Sequence, residues 1–174
     1  MRTNEVVADA FGRIRGEVHD AATGLSGAGL NYRPDPEANS IGWLIWHLTR
    51  VQDDHVAHLA GRSQEYVANG WAERLGLTPD EKDLGYGHTS QQVAAVTFDS
   101  PDTLLAYYDA VHERSLEYVA SITARELDRI VDTRWDPPVS AGVRLVSVID
   151  DCMNHAGQAN YVRGMLERLN SGED

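Results

Sequence analysis

The sequence predicts an all-α protein, organised as one four-helix bundle domain over residues 1–174. Four long segments repeat apolar residues at intervals of three and four, which is the period of a helix packed on one side. Residues that favour helix starts and stops bound these segments. A chain of 174 residues suits one hydrophobic core, and no internal repeat or linker divides it.

The first two helices have clear boundary residues. The first is predicted from about Asn4 to about Thr23, with Gly24 as a stop, and a Gly- and Pro-rich connection follows it. The second should begin after Ser40, because serine caps helix N-termini well, and it should end at Gly61.

The third helix is predicted from about Pro101 to Ile122, since proline is favoured in the first turn of a helix. The fourth is predicted from near Gly142 to about Leu169. Its apolar stripe is interrupted by two polar residues, which makes it the most informative of the four.

Two connections are longer than simple turns. Residues of about 62–100 join helices two and three, and residues of about 123–141 join helices three and four. In the second connection, residues 130–135 (IVDTRW) can be extended, and Pro137 and Pro138 block regular structure. Long connections in a compact domain are often functional.

The amino-acid composition limits the classes of partner and the cellular location that we expect for the protein. Fifteen Lys and Arg against 27 Asp and Glu give a formal net charge of −12, so a nucleic-acid backbone would be repelled. No stretch has the length and apolarity of a membrane span, and the N-terminus lacks a signal-peptide core. One cysteine excludes an internal disulfide. We therefore expect a cytoplasmic protein without nucleic-acid or membrane partners.

Asp151 and His155 stand on the apolar stripe of the fourth helix. Their i, i+4 spacing points both side chains the same way. A buried carboxylate and imidazole are costly unless they are paired or bound to a metal. The spacing alone leaves two interpretations open, a packing hydrogen bond between the two side chains and a metal site.

The second helix offers candidate partners in His47, His55 and His58, with Asp53 and Asp54 beside them. On a helical projection His47 lies at the edge of the apolar stripe and His55 nearer its middle, so periodicity predicts that His55 is the more buried. Most lone core histidines are only hydrogen-bonded. Two ligands from one helix and one from another would leave open coordination positions, as in catalytic metal sites.

The other chemically interesting residues have simpler interpretations. His19, His88 and His112 have no partner visible in the sequence and are predicted to be solvent or loop residues. Cys152 is predicted to be a packing residue, because a lone cysteine on an apolar helix face is usually one. The sequence contains no nucleophile-elbow serine motif and no Gly-rich phosphate loop.

Two stretches resemble the DinB-like metalloproteins. Residues 39–61 (NSIGWLIWHLTRVQDDHVAHLAG) resemble the second helix of that family, and residues 146–166 (VSVIDDCMNHAGQANYVRGML) resemble its fourth. The signature of the family's fourth helix is His-x-x-x-His-Arg-Gly-Gln. Residues 32–34 (YRP) and the loop with Trp135 also fit, so the resemblance covers nearly the whole chain.

The resemblance implies a metal site at particular positions. The family's ligand on the second helix falls on His47, and the histidine before Gly-Gln falls on His155. Asp151 stands where the family has its other histidine, although an acidic residue also occurs there in the mycothiol-transferase-like branch. Ala156 replaces the family's arginine. Gln158, three residues after His155, is expected to contact a ligand or a metal-binding side chain.

His55 and Asp54 are also expected near the site, where they would contact the metal-binding side chains or line a substrate pocket. No residue is assigned a catalytic role. The resemblance further implies an up-down-down-up helix order, a homodimer, and a divalent metal such as zinc or nickel.

The resemblance also implies a class of activity. Characterised relatives use mycothiol, bacillithiol or glutathione in S-transfer or in maleylpyruvate isomerisation, so the expected partners are a thiol and a small electrophile. The alternatives are a non-catalytic metal- or ligand-binding bundle and a structural dimer with a vestigial site.

Overall fold

The computed structural model of the protein describes residues 2–172. Four long helices form a bundle, and five short helices and one small hairpin lie in the connections, so the predicted all-α class is confirmed. In chain order the elements are α1 (Thr3–Ala22), α2 (Gly27–Leu30), α3 (Ile41–Ala60), α4 (Glu65–Ala68), α5 (Trp71–Arg74), α6 (Ser90–Ala95), α7 (Pro101–Ala120), α8 (Ala124–Leu127), β1 (Ile130–Asp132), β2 (Val139–Ser140) and α9 (Ala141–Ser171).

Capping residues fix the helix boundaries close to the predicted ones. The hydroxyl of Ser40 accepts the backbone N–H of Trp43 at 3.1 Å, and Gly61 ends α3 in a left-handed conformation at φ 65°. Pro101 opens α7 after the cap Ser100. Helices α1, α7 and α9 each begin or end within two residues of the expected positions.

Helix α3 is the central element of the bundle. It packs against α7 and α9, and α1 packs against the same two helices from the other side. The thiol of Cys152 lies 3.5 Å from the carbonyl of Leu48, whereas Arg144 contacts His55, so α3 and α9 are antiparallel. That direction agrees with an up-down-down-up bundle, whose full order remains a prediction.

Burial in α3 extends around the whole helix. Every residue from 41 to 53 is buried, including charged and polar ones. A helix that is buried on all sides has no exposed face against which a stripe can be recognised. Periodicity therefore cannot rank the histidines of α3 by burial.

A buried arginine holds the connection between α3 and α7. Arg50 is fully buried, and its guanidinium donates to the carbonyls of Asp80 at 3.3 Å, Glu81 at 3.0 Å and Asp83 at 3.2 Å. The same group lies over the ring of Tyr66, 3.9 Å from its centroid. The chain that runs past these carbonyls is thereby fixed against α3.

The connection between α7 and α9 contains the extended segment that the sequence suggested. β1 pairs with β2 in an antiparallel hairpin, with Ile130 opposite Ser140 and Asp132 opposite Val139. Only residues 130–132 of the predicted extended stretch are strand, and Trp135 lies exposed in the loop.

Across residues 2–172, no helix combines the length and the apolar character needed to cross a bilayer.

Candidate metal centre

Three predicted ligands meet between α3 and α9. His47 comes from α3, Asp151 and His155 come one turn apart from α9, and one ligand atom from each lies within 4.8 Å of the others. The rings of the two histidines are 4.7 Å apart and nearly perpendicular, at 77°. The antiparallel packing of the two helices brings the three side chains together.

The side chain of His47 is oriented by two neighbours. Its Nδ1 is hydrogen-bonded to the backbone carbonyl of Leu84, which can only accept, so Nδ1 carries the proton. Trp43, one turn earlier in α3, stacks on the imidazole with centroids 4.8 Å apart at 14°. The lone pair of His47 is therefore on Nε2.

Gln158 orients His155 in a corresponding way. Its Oε1 lies 2.8 Å from Nδ1 of His155, so it accepts that N–H and leaves the lone pair on Nε2. Metal-binding histidines usually donate their second ring N–H to such an oxygen, which fixes both tautomer and ring orientation. The expectation that Gln158 contacts a candidate metal-binding side chain thus agrees with its hydrogen bond to His155.

The charge state of the cluster suits a cation. Burial lowers the pKa of His47, because the imidazolium loses its hydration, and the hydrogen bond to Leu84 only partly opposes this. His47 is thus neutral near pH 7, as a metal ligand must be. Among the described residues, Oδ2 of Asp151 is buried without a hydrogen-bond partner, a costly state that a bound cation would relieve.

The alternative interpretation, a packing hydrogen bond between Asp151 and His155, does not describe the contact. Nε2 of His155 and Oδ1 of Asp151 are 3.7 Å apart, longer than a hydrogen bond. The separation leaves both atoms free for a common partner. Two imidazoles and one carboxylate therefore fit a divalent ion, with positions left open for a further ligand.

Two of the predicted surrounding residues lie elsewhere. Nδ1 of His55 is 3.1 Å from Oδ2 of Asp54 and 3.1 Å from a guanidinium nitrogen of Arg144, in a separate cluster about two turns along α3 from His47. The prediction that His55 is more buried than His47 is wrong. The exposed fraction is 5% for His47, whereas the side chain of His55 is 27% exposed.

His88 is a functional neighbour that the sequence did not reveal. It lies in a loop, as expected, but its Nε2 donates to Asp83 at 2.9 Å and its Nδ1 accepts the indole N–H of Trp43 at 3.2 Å. Trp43 in turn stacks on His47. His88 therefore supports the candidate centre through one intervening side chain.

The other two histidines predicted to be solvent or loop residues, His19 and His112, lie on long helices. His112 is buried within α7, and its Nδ1 has no hydrogen-bond partner among residues 2–172. His19 lies on α1 and is paired with Asp109, with 2.9 Å between Nε2 and Oδ1. The partner of His19 could not be identified from sequence spacing, because α1 and α7 are remote in the chain.

Gly85 lets the loop between α5 and α6 approach His47 closely. It has φ +83°, and a Cβ built there would lie 2.8 Å from Trp46, 2.9 Å from Trp43 and 3.2 Å from Nδ1 of His47. Only glycine fits both this backbone conformation and this space. The two glycines of residues 84–87 (LGYG) are a local signal for a tight turn, although nothing in the sequence indicates which residues the loop contacts.

We predict that Gly85→Ala weakens divalent-ion binding by about 10–100-fold, because the displaced Leu84 carbonyl no longer orients His47. Gly87→Ala is a matched control, since Gly87 also has a positive φ, of +74°, but a Cβ there meets nothing within 4 Å. Zinc titration of both variants measures the effect. Equal affinity in the two variants would show that the contact with the rings does not matter.

The fold and the triad define a helical bundle with a candidate metal centre between two of its helices. The family model for the DinB superfamily matches residues 10–159, and the chain belongs to that superfamily. It is also similar to a conserved protein from Enterococcus faecalis of known crystal structure, at 30% identity and a TM-score of 0.87, over 94% of this chain and 96% of that one. No curated protein sequence matches the chain.

Proposed function

We propose that the protein is a divalent-metal-dependent enzyme that uses a low-molecular-weight thiol, such as mycothiol or bacillithiol, in S-transfer or a related isomerisation. The single observation that carries the proposal is the triad of His47, Asp151 and His155, whose two imidazoles keep Nε2 free and whose carboxylate has an unpaired buried oxygen. Zinc or nickel, both suited to nitrogen and oxygen ligands, and a cytoplasmic homodimer belong to the same proposal.

A bound divalent ion would supply Lewis acidity and lower the pKa of a coordinated thiol. The chain's own residues prepare for this. Leu84 and Gln158 hold the two imidazoles in the tautomer that presents Nε2, and Trp43 covers one face of His47 against water. Asp151 contributes a negative charge that attracts the cation and offsets part of its charge.

An external thiol would be needed because Cys152, the one cysteine of the sequence, is not available as a nucleophile. Cys152 is adjacent to Asp151 but fully buried, and burial raises the pKa of its thiol well above the usual value. It packs against Leu48 instead of facing the triad's ligand atoms. The same observation favours the second candidate, a non-catalytic metal- or ligand-binding bundle.

Thiol conjugation separates the two candidates. Protein purified without a histidine tag is stripped of metal, reloaded with zinc or nickel, and assayed with mycothiol, bacillithiol and glutathione against generic electrophiles. We expect metal-dependent turnover with at least one thiol. Stoichiometric metal binding without turnover by any thiol would favour the binding protein.

Substitution of Asp151 tests its place in the site. We predict that Asp151→His still binds a divalent ion, because histidine supplies a ligand nitrogen at the same position. Asp151→Ala should lose most of the affinity, because it removes one of three ligands. Elemental analysis after dialysis measures both. Full metal retention in Asp151→Ala would remove Asp151 from the set of ligands.

A separate experiment distinguishes thiol transfer from oxygenase chemistry at the metal. Two histidines and one carboxylate also occur in ferrous oxygenases, whereas thiol transfer requires no redox change at the metal. Activity should therefore survive reconstitution with zinc under anaerobic conditions. Activity confined to ferrous iron and oxygen would contradict the thiol-transfer proposal.

A further inference from the structure

An open groove of about 500 Å³ lies beside the candidate metal centre. One side is the chain segment 37–39, which leads into α3, and the other is the part of α9 from Gly157 to Val162. Leu44 of α3 also lines it. The groove is separate from the surface depression that Asp54 lines on another part of the molecule.

Gln158 connects the groove to the metal ligands. Its side chain lines the groove, and its Oε1 accepts the N–H of His155 at 2.8 Å. Leu44 precedes His47 by three residues, so it lies about 4.5 Å from it along the axis of α3. Lining residues of the groove therefore lie within about one helical turn of each histidine along the helix axes.

The lining suits an apolar or aromatic molecule. Its lining includes the apolar side chains of Leu44 and Val162, which are both buried, and Tyr161, which leaves 69% of its surface exposed. An exposed tyrosine ring beside an apolar groove offers a face for stacking at small entropic cost. Gly157 has nothing within 4 Å of a Cβ built on it, so packing does not require glycine there and its missing side chain leaves the groove open.

The charges around the groove disfavour anions. Glu37 is the one charged residue lining it within the described part of the chain. The nearby guanidinium of Arg33 donates instead to the carbonyls of Pro36 and Ala38 and to Ser90. With a net charge of −12 on the whole chain, a carboxylate-bearing molecule would meet repulsion that no basic side chain among the described lining residues offsets.

We infer that this groove binds the electrophilic co-substrate and selects uncharged apolar or aromatic electrophiles over anionic ones. The inference rests on the proposed thiol transfer and makes its substrate class specific. It favours S-transfer over isomerisation of a dicarboxylate. With a chloronitroaromatic probe, the thiol sulfur bonds to the ring carbon, chloride leaves with the bonding pair, and the thiol proton passes to solvent.

Binding is tested first without chemistry. Metal-free protein and zinc-loaded protein are titrated with 1,3-dinitrobenzene, which has no leaving group, and with 3,5-dinitrobenzoate as its anionic counterpart. We expect saturable binding of the neutral compound and at least about tenfold weaker binding of the anion. Equal or tighter binding of the benzoate would overturn the inference.

Gly157→Leu adds a side chain at a position that lines the groove and where a Cβ meets nothing within 4 Å, and Gly16→Leu is its control. Gly16 also lies in a long helix, is exposed, and has nothing within 4 Å of its Cβ position. Gly157→Leu should weaken dinitrobenzene binding by about tenfold or more with unchanged zinc content, and Gly16→Leu should change neither. Unchanged binding in Gly157→Leu would contradict the groove assignment.

Kinetics then separate this inference from the proposed function. With one thiol, 1-chloro-2,4-dinitrobenzene should have a KM at least about tenfold below that of 4-chloro-3,5-dinitrobenzoate, and Gly157→Leu should raise the lower value. Turnover that is insensitive to Gly157→Leu would overturn the groove and leave thiol transfer standing. Binding that is sensitive to Gly157→Leu, without turnover by any thiol, would support the groove and refute thiol transfer.

Discussion

Replacing His47 or His155 by alanine will abolish most divalent-ion binding. The wild-type chain is expected to take up about one ion, and each variant should lose more than about a hundredfold in affinity, because even loss of a supporting residue costs 10–100-fold. Each imidazole is one of the three candidate ligand side chains that the described residues bring together in the cluster. Elemental analysis and competitive zinc titration of untagged protein measure the loss.

His55→Ala is the matched control for this experiment. His55 lies on the same helix but contacts Asp54 and Arg144 instead of the triad, so its removal should leave one ion bound. The opposite pattern, with full occupancy in His47→Ala and loss in His55→Ala, would show that the ligand from α3 has been wrongly assigned.

The largest stability effect is expected from Arg50→Met. This substitution leaves Asp53 buried without the nearby guanidinium, 3.7 Å away, and frees the carbonyls of Asp80, Glu81 and Asp83. Breaking a buried pair by removing one partner costs about 3–5 kcal/mol of unfolding free energy. Urea unfolding of the metal-free protein measures this cost directly.

Arg50→Met should also weaken ion binding. Arg50 holds the carbonyl of Asp83, and the next residue, Leu84, provides the carbonyl that accepts the N–H of His47. Arg114→Met is the control, since Arg114 pairs with Glu65 from a half-exposed position, where such a pair contributes about 1 kcal/mol or less. If Arg50→Met and Arg114→Met lost similar amounts of unfolding free energy and of ion affinity, the buried guanidinium of Arg50 would have no special role.

The architecture could largely be predicted because its signals are local. Ser40, Gly61 and Pro101 bound their helices through capping and backbone preferences that act within one turn. The pair on α9 was also visible locally, since Asp151 and His155 interrupt an apolar stripe at helical spacing. Local spacing could not decide between a hydrogen bond and a metal site, whereas the 3.7 Å separation of the two side chains in the structure is too long for a hydrogen bond.

The candidate ligand on α3 could not be derived from periodicity. Because α3 is buried all around, the helical projection favoured His55, and only the resemblance to DinB-like proteins indicated His47. The structure separates the two by their neighbours. His47 faces α9 at the level of His155, whereas His55 contacts Arg144, near the start of α9.

The supports of the site were the least predictable part. The carbonyl of Leu84 is a backbone group and carries no residue-type signal, and His88 acts through Trp43. Both lie in the long connection between α3 and α7, the kind of segment where function was expected. Length identified the segment, but only tertiary structure shows which atoms reach His47.

The position of the triad along the chain gives a bound ion a second effect. His47 and Asp151 are separated by roughly a hundred residues. An ion coordinated by both would close a loop of the chain that contains α7 and the two long connections on either side of it. In a chain-entropy description, a permanent cross-link over such a loop removes about 4–5 kcal/mol of freedom from the unfolded chain. With a single cysteine, this chain has no internal disulfide to serve that purpose. A coordinated ion would be a reversible equivalent, with a strength set by free metal concentration instead of by redox potential.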